Sequence, residues 1–275
     1  MPHDSLLPLA ATGLLVALAM ALPTWLLSLW QRDASLADRL WPLLIVVPGW
    51  SYALLMQPAA PLRQLLMLML ASAWALRLAL FITWRNRGHG EDRRYRAMRE
   101  AHGARFGLRS LWSVFGLQAL LAWVVSAPFL AAGQSSAPAG WLDALGLALA
   151  LFGLLYEAVA DAQLARFKAQ AGNRGRVMDQ GLWRNSRHPN YFGECCVWWG
   201  LGLAALGAGA GAAWGLVSPL LMTVLLLRVS GVRLLERDIE ERRPAYRDYA
   251  ARTPAFVPGP RRQPGAAKPD SRSAH

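Results

Sequence analysis

Charge is scarce in this 275-residue chain: 17% of its residues are Asp, Glu, Lys or Arg, whereas 55% are hydrophobic. Soluble domains carry about 25% charge, so the mix argues against a soluble enzyme. Cysteine is scarcer still, and the only two, Cys195 and Cys196, are adjacent within an apolar run. Neither a disulfide framework nor a metal-ligand spacing can be built from them. The five histidines, His3, His89, His102, His188 and His275, are isolated from one another and form no zinc-binding spacing. No GxGxxG follows a strand and no GxxxxGK is present, which removes the soluble nucleotide folds. No internal repeat is evident, which weakens transporter designs built from duplicated halves.

Acidic residues are also outnumbered, 17 against 29 Lys plus Arg, for a net charge of +12. A basic total alone would suggest nucleic acid, but the basic residues sit in short clusters between long apolar stretches. That distribution belongs to the loops of a multispanning membrane protein, and no nucleic-acid partner is expected. The exception is the tail, residues 258–275, where Pro, Gly, Arg and Ser crowd together and disorder is expected.

A hydrocarbon core of roughly 30 Å needs about 20 mostly apolar helical residues to cross it. Seven stretches qualify: Leu6 to Trp30, Leu40 to Gln57, Leu62 to Trp84, Leu111 to Ala132, Trp141 to Asp161, Tyr191 to Ala208 and Ala212 to Val229. The first lacks a basic start and a small-x-small cleavage site, so it reads as a retained span. The segments after spans one, three, five and seven carry two, eight, six and eleven basic residues, counting Arg228 with the last. The amino terminus and the segments after spans two, four and six carry zero, one, zero and zero, counting Arg63 at the head of span three with the segment after span two. By the positive-inside rule the charged loops and the carboxyl tail face the cytoplasm of a bacterial inner membrane, with the amino terminus outside. Trp25, Trp30, Trp41, Trp84, Trp112 and Trp141 fall near span ends, where indoles prefer to lie. The fold expected is all-α, a single membrane domain over residues 1–257 with about seven spans and interfacial carboxyl-terminal helices.

Ionisable groups at membrane depth cost roughly 2.5–3.5 kcal/mol each on insertion scales, so each needs a reason. Arg77 lies mid-span, Glu157 and Asp161 lie four apart in the last turns of span five, and Asn190 and Glu194 share a face at the start of span six. An ion pair between Arg77 and one of the acids is the plain structural reading. Between spans five and six, Arg166, Lys168, Arg174, Arg176, Arg184 and Arg187 suit a phosphate-bearing cofactor. They serve equally as topology signal and headgroup anchors. Topology does not account for Ser186 to Glu194, where Pro189 opens a helix that carries Asn190, Tyr191 and Glu194 back toward the bilayer. His188 reads as an interfacial cap or as an acid–base group. After the last span, Leu235, Ile239, Tyr246 and Tyr249 recur at near-helical spacing among charges, an interfacial helix pair broken at Pro244.

The stretch from Asp161 to Pro258, with Gly181-Leu-Trp-Arg-Asn-Ser-Arg-His-Pro-Asn-Tyr-Phe-Gly-Glu194 and Tyr246-Arg-Asp-Tyr249, resembles the carboxyl-terminal half of the steroid 5-alpha-reductases. The whole chain, including Gly90-Glu-Asp-Arg-Arg-Tyr95, is more similar to the DUF1295 branch of that superfamily. The resemblance implies that NADPH is held by residues 141–257, with Glu157, Asp161, Lys168, Arg184, Asn190, Glu194, Arg228 and Tyr249 facing it. It implies reduction of a carbon–carbon double bond conjugated to a carbonyl, in a hydrophobic lipid or steroid-like substrate. The steroid reductases' ketone-binding tyrosine is matched here by Trp74, which leaves Tyr95 and Glu91 as candidate proton donors. The Arg-His-Pro-x-Tyr-x-Gly and Tyr-x-x-Tyr signatures also resemble the isoprenylcysteine carboxyl methyltransferases, which bind S-adenosylmethionine. A non-catalytic lipid-binding or scaffold protein is the third reading.

Overall fold

A computed structural model of the chain describes residues 6–56, 61–135, 137–229, 231–232, 236, 239 and 244–262. Among them there are only helices and connecting turns, without a strand. The helices are α1 (Leu6–Gln31), α2 (Leu36–Leu55), α3 (Leu62–Arg85), α4 (Arg93–His102), α5 (Phe106–Ser110), α6 (Leu117–Val125), α7 (Ala127–Ala132), α8 (Trp141–Ala169), α9 (Pro189–Leu206), α10 (Val217–Val224) and α11 (Ala245–Arg252). Five helical stretches are long and apolar enough to cross a bilayer: Leu6–Gln31, Leu62–Arg85, Arg93–Ala132, Trp141–Ala169 and Ala210–Val229. The chain is therefore a multi-pass integral membrane protein.

Among the described residues five of the about seven expected spans meet this length and apolarity, so the exact count of seven is not confirmed. Helices of 20 and 18 residues do form at the second and sixth predicted positions, α2 and α9. Asp38 and Arg39 at the start of α2, and Asn190 and Glu194 at the start of α9, lower their apolarity below that of the other five. Of the predicted carboxyl-terminal helix pair, α11 is present, whereas Leu235 lies outside the described residues.

The chain divides into two compact units, residues 1–154 with 196–222, and residues 155–195 with 223–275. In the first unit, α8 and α9 approach through small residues. A Cβ at Gly146 would lie 2.5 Å from Ala204 N and Gly200 O, and one at Gly200 would lie 2.4 Å from Ala150 N. Gly146 with Ala150 and Gly200 with Ala204 are thus paired small-x-x-x-small faces, the pattern that lets membrane helices pack backbone to backbone. Beside this seam Trp198 packs edge-on against Trp74, with centroids 5.2 Å apart at 89°, and both rings are fully buried. Trp74 is thus a core packing residue.

Polar contacts tie together the loops that charge counting assigns to one side. At one end, Ala34 N–H donates to Glu91 Oε1 at 2.9 Å and Asp92 N–H to Ser35 Oγ at 2.7 Å. These join the α1–α2 and α3–α4 connections. At the other, Arg63 pairs with Asp143, both nearly fully buried, and its guanidinium also donates to Ala137 O at 3.4 Å and Pro138 O at 3.2 Å. Arg63 is the single basic residue assigned to the segment after span two, and burial against Asp143 explains its presence there. Arg77 is half-buried midway along α3.

Candidate functional site

All eight residues expected to face a cofactor, Glu157, Asp161, Lys168, Arg184, Asn190, Glu194, Arg228 and Tyr249, fall in the second unit. Its frame is the carboxyl-terminal part of α8. Glu157 and Asp161 occupy successive turns of one face and are 2% and 5% exposed. The following loop folds back onto this helix: Trp183 Nε1 donates to Ala160 O at 3.0 Å, and Leu182 N–H to Gln163 Oε1 at 2.9 Å. Gly181 makes the return possible. Its φ is +56°, and a Cβ there would lie 2.5 Å from Gln163 Oε1.

The loop delivers α9, which opens at Pro189 as the sequence predicts. One residue in, Asn190 Nδ2 donates to Asp161 Oδ1 at 3.2 Å. This joins two of the predicted residues across 29 positions of sequence. Glu194, one turn further, is also buried. Next to it, Cys195 Sγ lies 3.4 Å from Thr223 Oγ1 at the end of α10. Arg228 follows in a π turn, Leu225–Val229, a local widening that helices often use at functional positions. Arg228, Lys168 and Arg184 are exposed, whereas Glu157, Asp161 and Glu194 are buried. The unit thus presents surface cations together with buried acids and an amide.

A second polar centre, which sequence reasoning missed, is Glu236. Its Oε1 accepts hydrogen bonds from His188 Nε2 at 2.9 Å and the Tyr246 hydroxyl at 2.9 Å, and the Arg187 guanidinium stands beside it as an ion pair at 3.0 Å. Burial pushes this carboxyl up, but the His188 bond, the Arg187 charge and the Tyr246 bond outweigh it and hold it below the ordinary glutamate value. Burial and the facing Glu236 carboxylate push the Tyr246 phenol up in turn. Glu236 lies in a run of charged residues with no distinguishing spacing, so nothing local marks it. His188, stacked parallel to the Tyr191 ring with centroids 5.7 Å apart, therefore serves to hold the chain end.

The chain beyond Pro244 is strapped across the same loop. Arg187 N–H donates to Pro254 O at 2.9 Å, Ser186 Oγ to Phe256 O at 2.7 Å and Gly259 N–H to Asn185 O at 3.0 Å. Arg261 reaches Asp179 O at 2.6 Å and Arg184 O at 3.2 Å. Residues 258–262, expected to begin a disordered tail, are thus pinned by the loop that supplies their partners. Tyr249 is buried, and its hydroxyl donates to Trp183 O at 2.6 Å, with Ser186 O at 3.2 Å. That hydroxyl is committed to loop carbonyls, which gives Tyr249 an architectural task within the site.

The candidate proton donors, Tyr95 and Glu91, lie in the first unit. The Tyr95 hydroxyl gives its proton to Asp38 Oδ1 at 2.6 Å and accepts from Gln118 Nε2 at 3.3 Å. Burial pushes the Glu91 carboxyl up, but two bonds from Arg99 and one from Ala34 N–H hold it below the ordinary value. An ionised, doubly clamped carboxylate has no proton to give at neutral pH. Tyr95 fastens α4 to the first turn of α2, and Glu91 fastens Arg99 of α4 to the α1–α2 loop.

A family profile described as a protein of unknown function, DUF1295, matches residues 24–253, a stretch that contains every candidate residue above. The chain belongs to the DUF1295 family. This DUF1295 protein is also 27% identical over 281 residues to an uncharacterized protein of Schizosaccharomyces pombe, covering 90% of the chain and 78% of the relative. No solved structure matches it. Among the described residues, no group of three or more His, Cys, Asp or Glu is arranged to hold a metal ion.

Proposed function

We propose that this DUF1295 protein is a membrane-embedded reductase that binds NADPH in its second unit and reduces an activated carbon–carbon double bond in a hydrophobic substrate. The observation that carries the reading is the Asn190–Asp161 pair, set among the buried acids Glu157 and Glu194 in the unit that also bears Lys168, Arg184 and Arg228. This donor set fits a dinucleotide. Ribose hydroxyls and a carboxamide donate to carboxylates and to an amide oxygen, whereas phosphates call for guanidinium and ammonium groups. When bound, NADPH supplies the hydride that such a reduction requires. Asp161 and Asn190 then orient the polar rim of the cofactor, the exposed cations hold its phosphates, and the strap from Pro244 to Arg262 keeps the loop in place. The charged loops face the cytoplasm of a bacterial inner membrane in this reading, and the substrate enters from the bilayer.

The motifs shared with the methyltransferases, Arg187-His188-Pro189 and Tyr246-x-x-Tyr249, are engaged in fastening the carboxyl-terminal strap. They therefore do not discriminate between the two cofactors, whereas the surface cations favour one that bears phosphates. The test is nucleotide titration of detergent-purified protein, with the unfolding midpoint as readout. A larger rise with NADPH than with NADH or S-adenosylmethionine is expected. Preferential stabilisation by S-adenosylmethionine would overturn the reading, and no response to any of the three would favour a lipid-binding or scaffold role.

A further inference from the structure

The first unit carries a feature unrelated to the cofactor residues. From Arg105 onward the chain shows one exposed stripe at helical spacing: Arg105, then Leu108 and Arg109, then Trp112, Leu117 and Leu120. Leu108 and Trp112 are 65% and 63% exposed. The opposite face is buried through Phe106, Ser110, Val114 and Phe115, and Gly107 O accepts Trp25 Nε1 at 2.9 Å. The outward direction of the stripe is therefore set by packing.

The stripe is polarised. Its two guanidiniums stand at one end, and beyond them the exposed face is apolar except for Ser113, whose hydroxyl donates to Arg109 O at 2.8 Å. At 1.5 Å per α-helical residue, and less through the π-helical turn Leu111–Gly116, Leu108 to Leu120 spans at most about 18 Å, comparable to the roughly 15 Å of hydrocarbon in one leaflet. Neither Arg105 nor Arg109 has a side-chain acceptor among the described residues, unlike Arg94 and Arg99 nearby, which pair with Asp38 and Glu91. Two unmatched guanidiniums at the head of an apolar strip one leaflet long match an anionic headgroup and its acyl chain in both charge and length.

We propose that this stripe is a binding site for an anionic glycerophospholipid, with the phosphodiester held between Arg105 and Arg109 and an acyl chain laid along Leu108, Trp112, Leu117 and Leu120. An exposed indole at the boundary between the two halves suits the interface, where Trp is amphipathic on both counts. Generic attraction of a basic surface to an anionic membrane would be spread over all the arginines, whereas this site depends on two of them.

The test uses full-length protein in a neutral detergent, with dioleoyl phosphatidylglycerol, dioleoyl phosphatidylcholine or inorganic phosphate as probes. Readouts are the unfolding midpoint and the lipid retained in native mass spectrometry. Phosphatidylglycerol is expected to raise the midpoint and remain bound, and Arg105→Gln with Arg109→Gln is expected to weaken it roughly tenfold or more. Arg105→Lys with Arg109→Lys keeps most of the affinity, and Arg32→Gln with Arg87→Gln, which removes the same charge from exposed positions elsewhere, leaves it nearly unchanged. Equal binding of phosphatidylcholine, or equal loss in the Arg32 and Arg87 pair, would overturn the site. A full response to inorganic phosphate alone would overturn the lipid assignment. Because all four positions are exposed, a variant whose midpoint without lipid matches the parent reports on binding alone.

Discussion

Asn190 Nδ2 donates to Asp161 Oδ1 across 3.2 Å, fastening the first turn of α9 to the carboxyl-terminal part of α8. Asn190 is a helix-start residue and Asp161 is almost fully buried, so the bond spends part of an expensive buried carboxylate on an amide that keeps further hydrogen-bonding capacity. Replacing Asn190 with Ala or Glu194 with Gln is expected to abolish the NADPH-dependent rise in midpoint while lowering the stability without ligand by no more than about 1–2 kcal/mol. An unaltered NADPH response in either variant would make these residues structural only.

Glu236 ties the strap to His188, Arg187 and Tyr246, and its carboxyl is held below the ordinary glutamate value of 4.5. A carboxylate depressed in the folded state contributes its stabilisation above the unfolded value and loses it as pH falls through the folded one. The strap is therefore expected to loosen below about pH 4.5, seen as faster proteolysis within residues 245–262 while the membrane helices stay protected. In Glu236→Gln that acid-dependent step should disappear, because cleavage is already fast at neutral pH. A pH profile identical to the parent would show that the anchor lies elsewhere.

Backbone contact between α8 and α9 leaves no room at Gly146 or Gly200. Gly200→Ala places a methyl carbon within 2.5 Å of backbone atoms of α8, so the helices must separate. The expected cost is about 2 kcal/mol, and more for Gly200→Leu, read from the thermal midpoint in detergent. Gly211, whose Cβ would meet nothing within 4 Å, is the control and should accept Ala with little change.

Arg63 and Asp143 are buried together, so each single loss strands a charge. Arg63→Met or Asp143→Asn should cost about 3–5 kcal/mol, whereas the double change to Met and Leu should recover much of it. A double variant as unstable as the worse single would mean that the carbonyl contacts of Arg63 with Ala137 and Pro138 outweigh the ion pair.

The helices, the membrane character and the gathering of Asp161, Asn190 and Glu194 near one end were legible from residue order, because apolar length, charge parity and helical spacing are local quantities. Pro189 marked the opening of α9 for the same reason. The number of apolar spans was less legible, since α2 and α9 form helices despite polar first turns. What only the tertiary structure decided were contacts across long sequence separations. Glu236 was chosen as partner of His188 from a run of similar charges, Trp74 was assigned to packing against Trp198, Glu91 was clamped by Arg99, and residues 258–262 were drawn out of the expected disordered tail. A carboxylate or hydroxyl has the same intrinsic chemistry wherever it stands in the chain, and its role follows from which donors folding brings within about 3 Å.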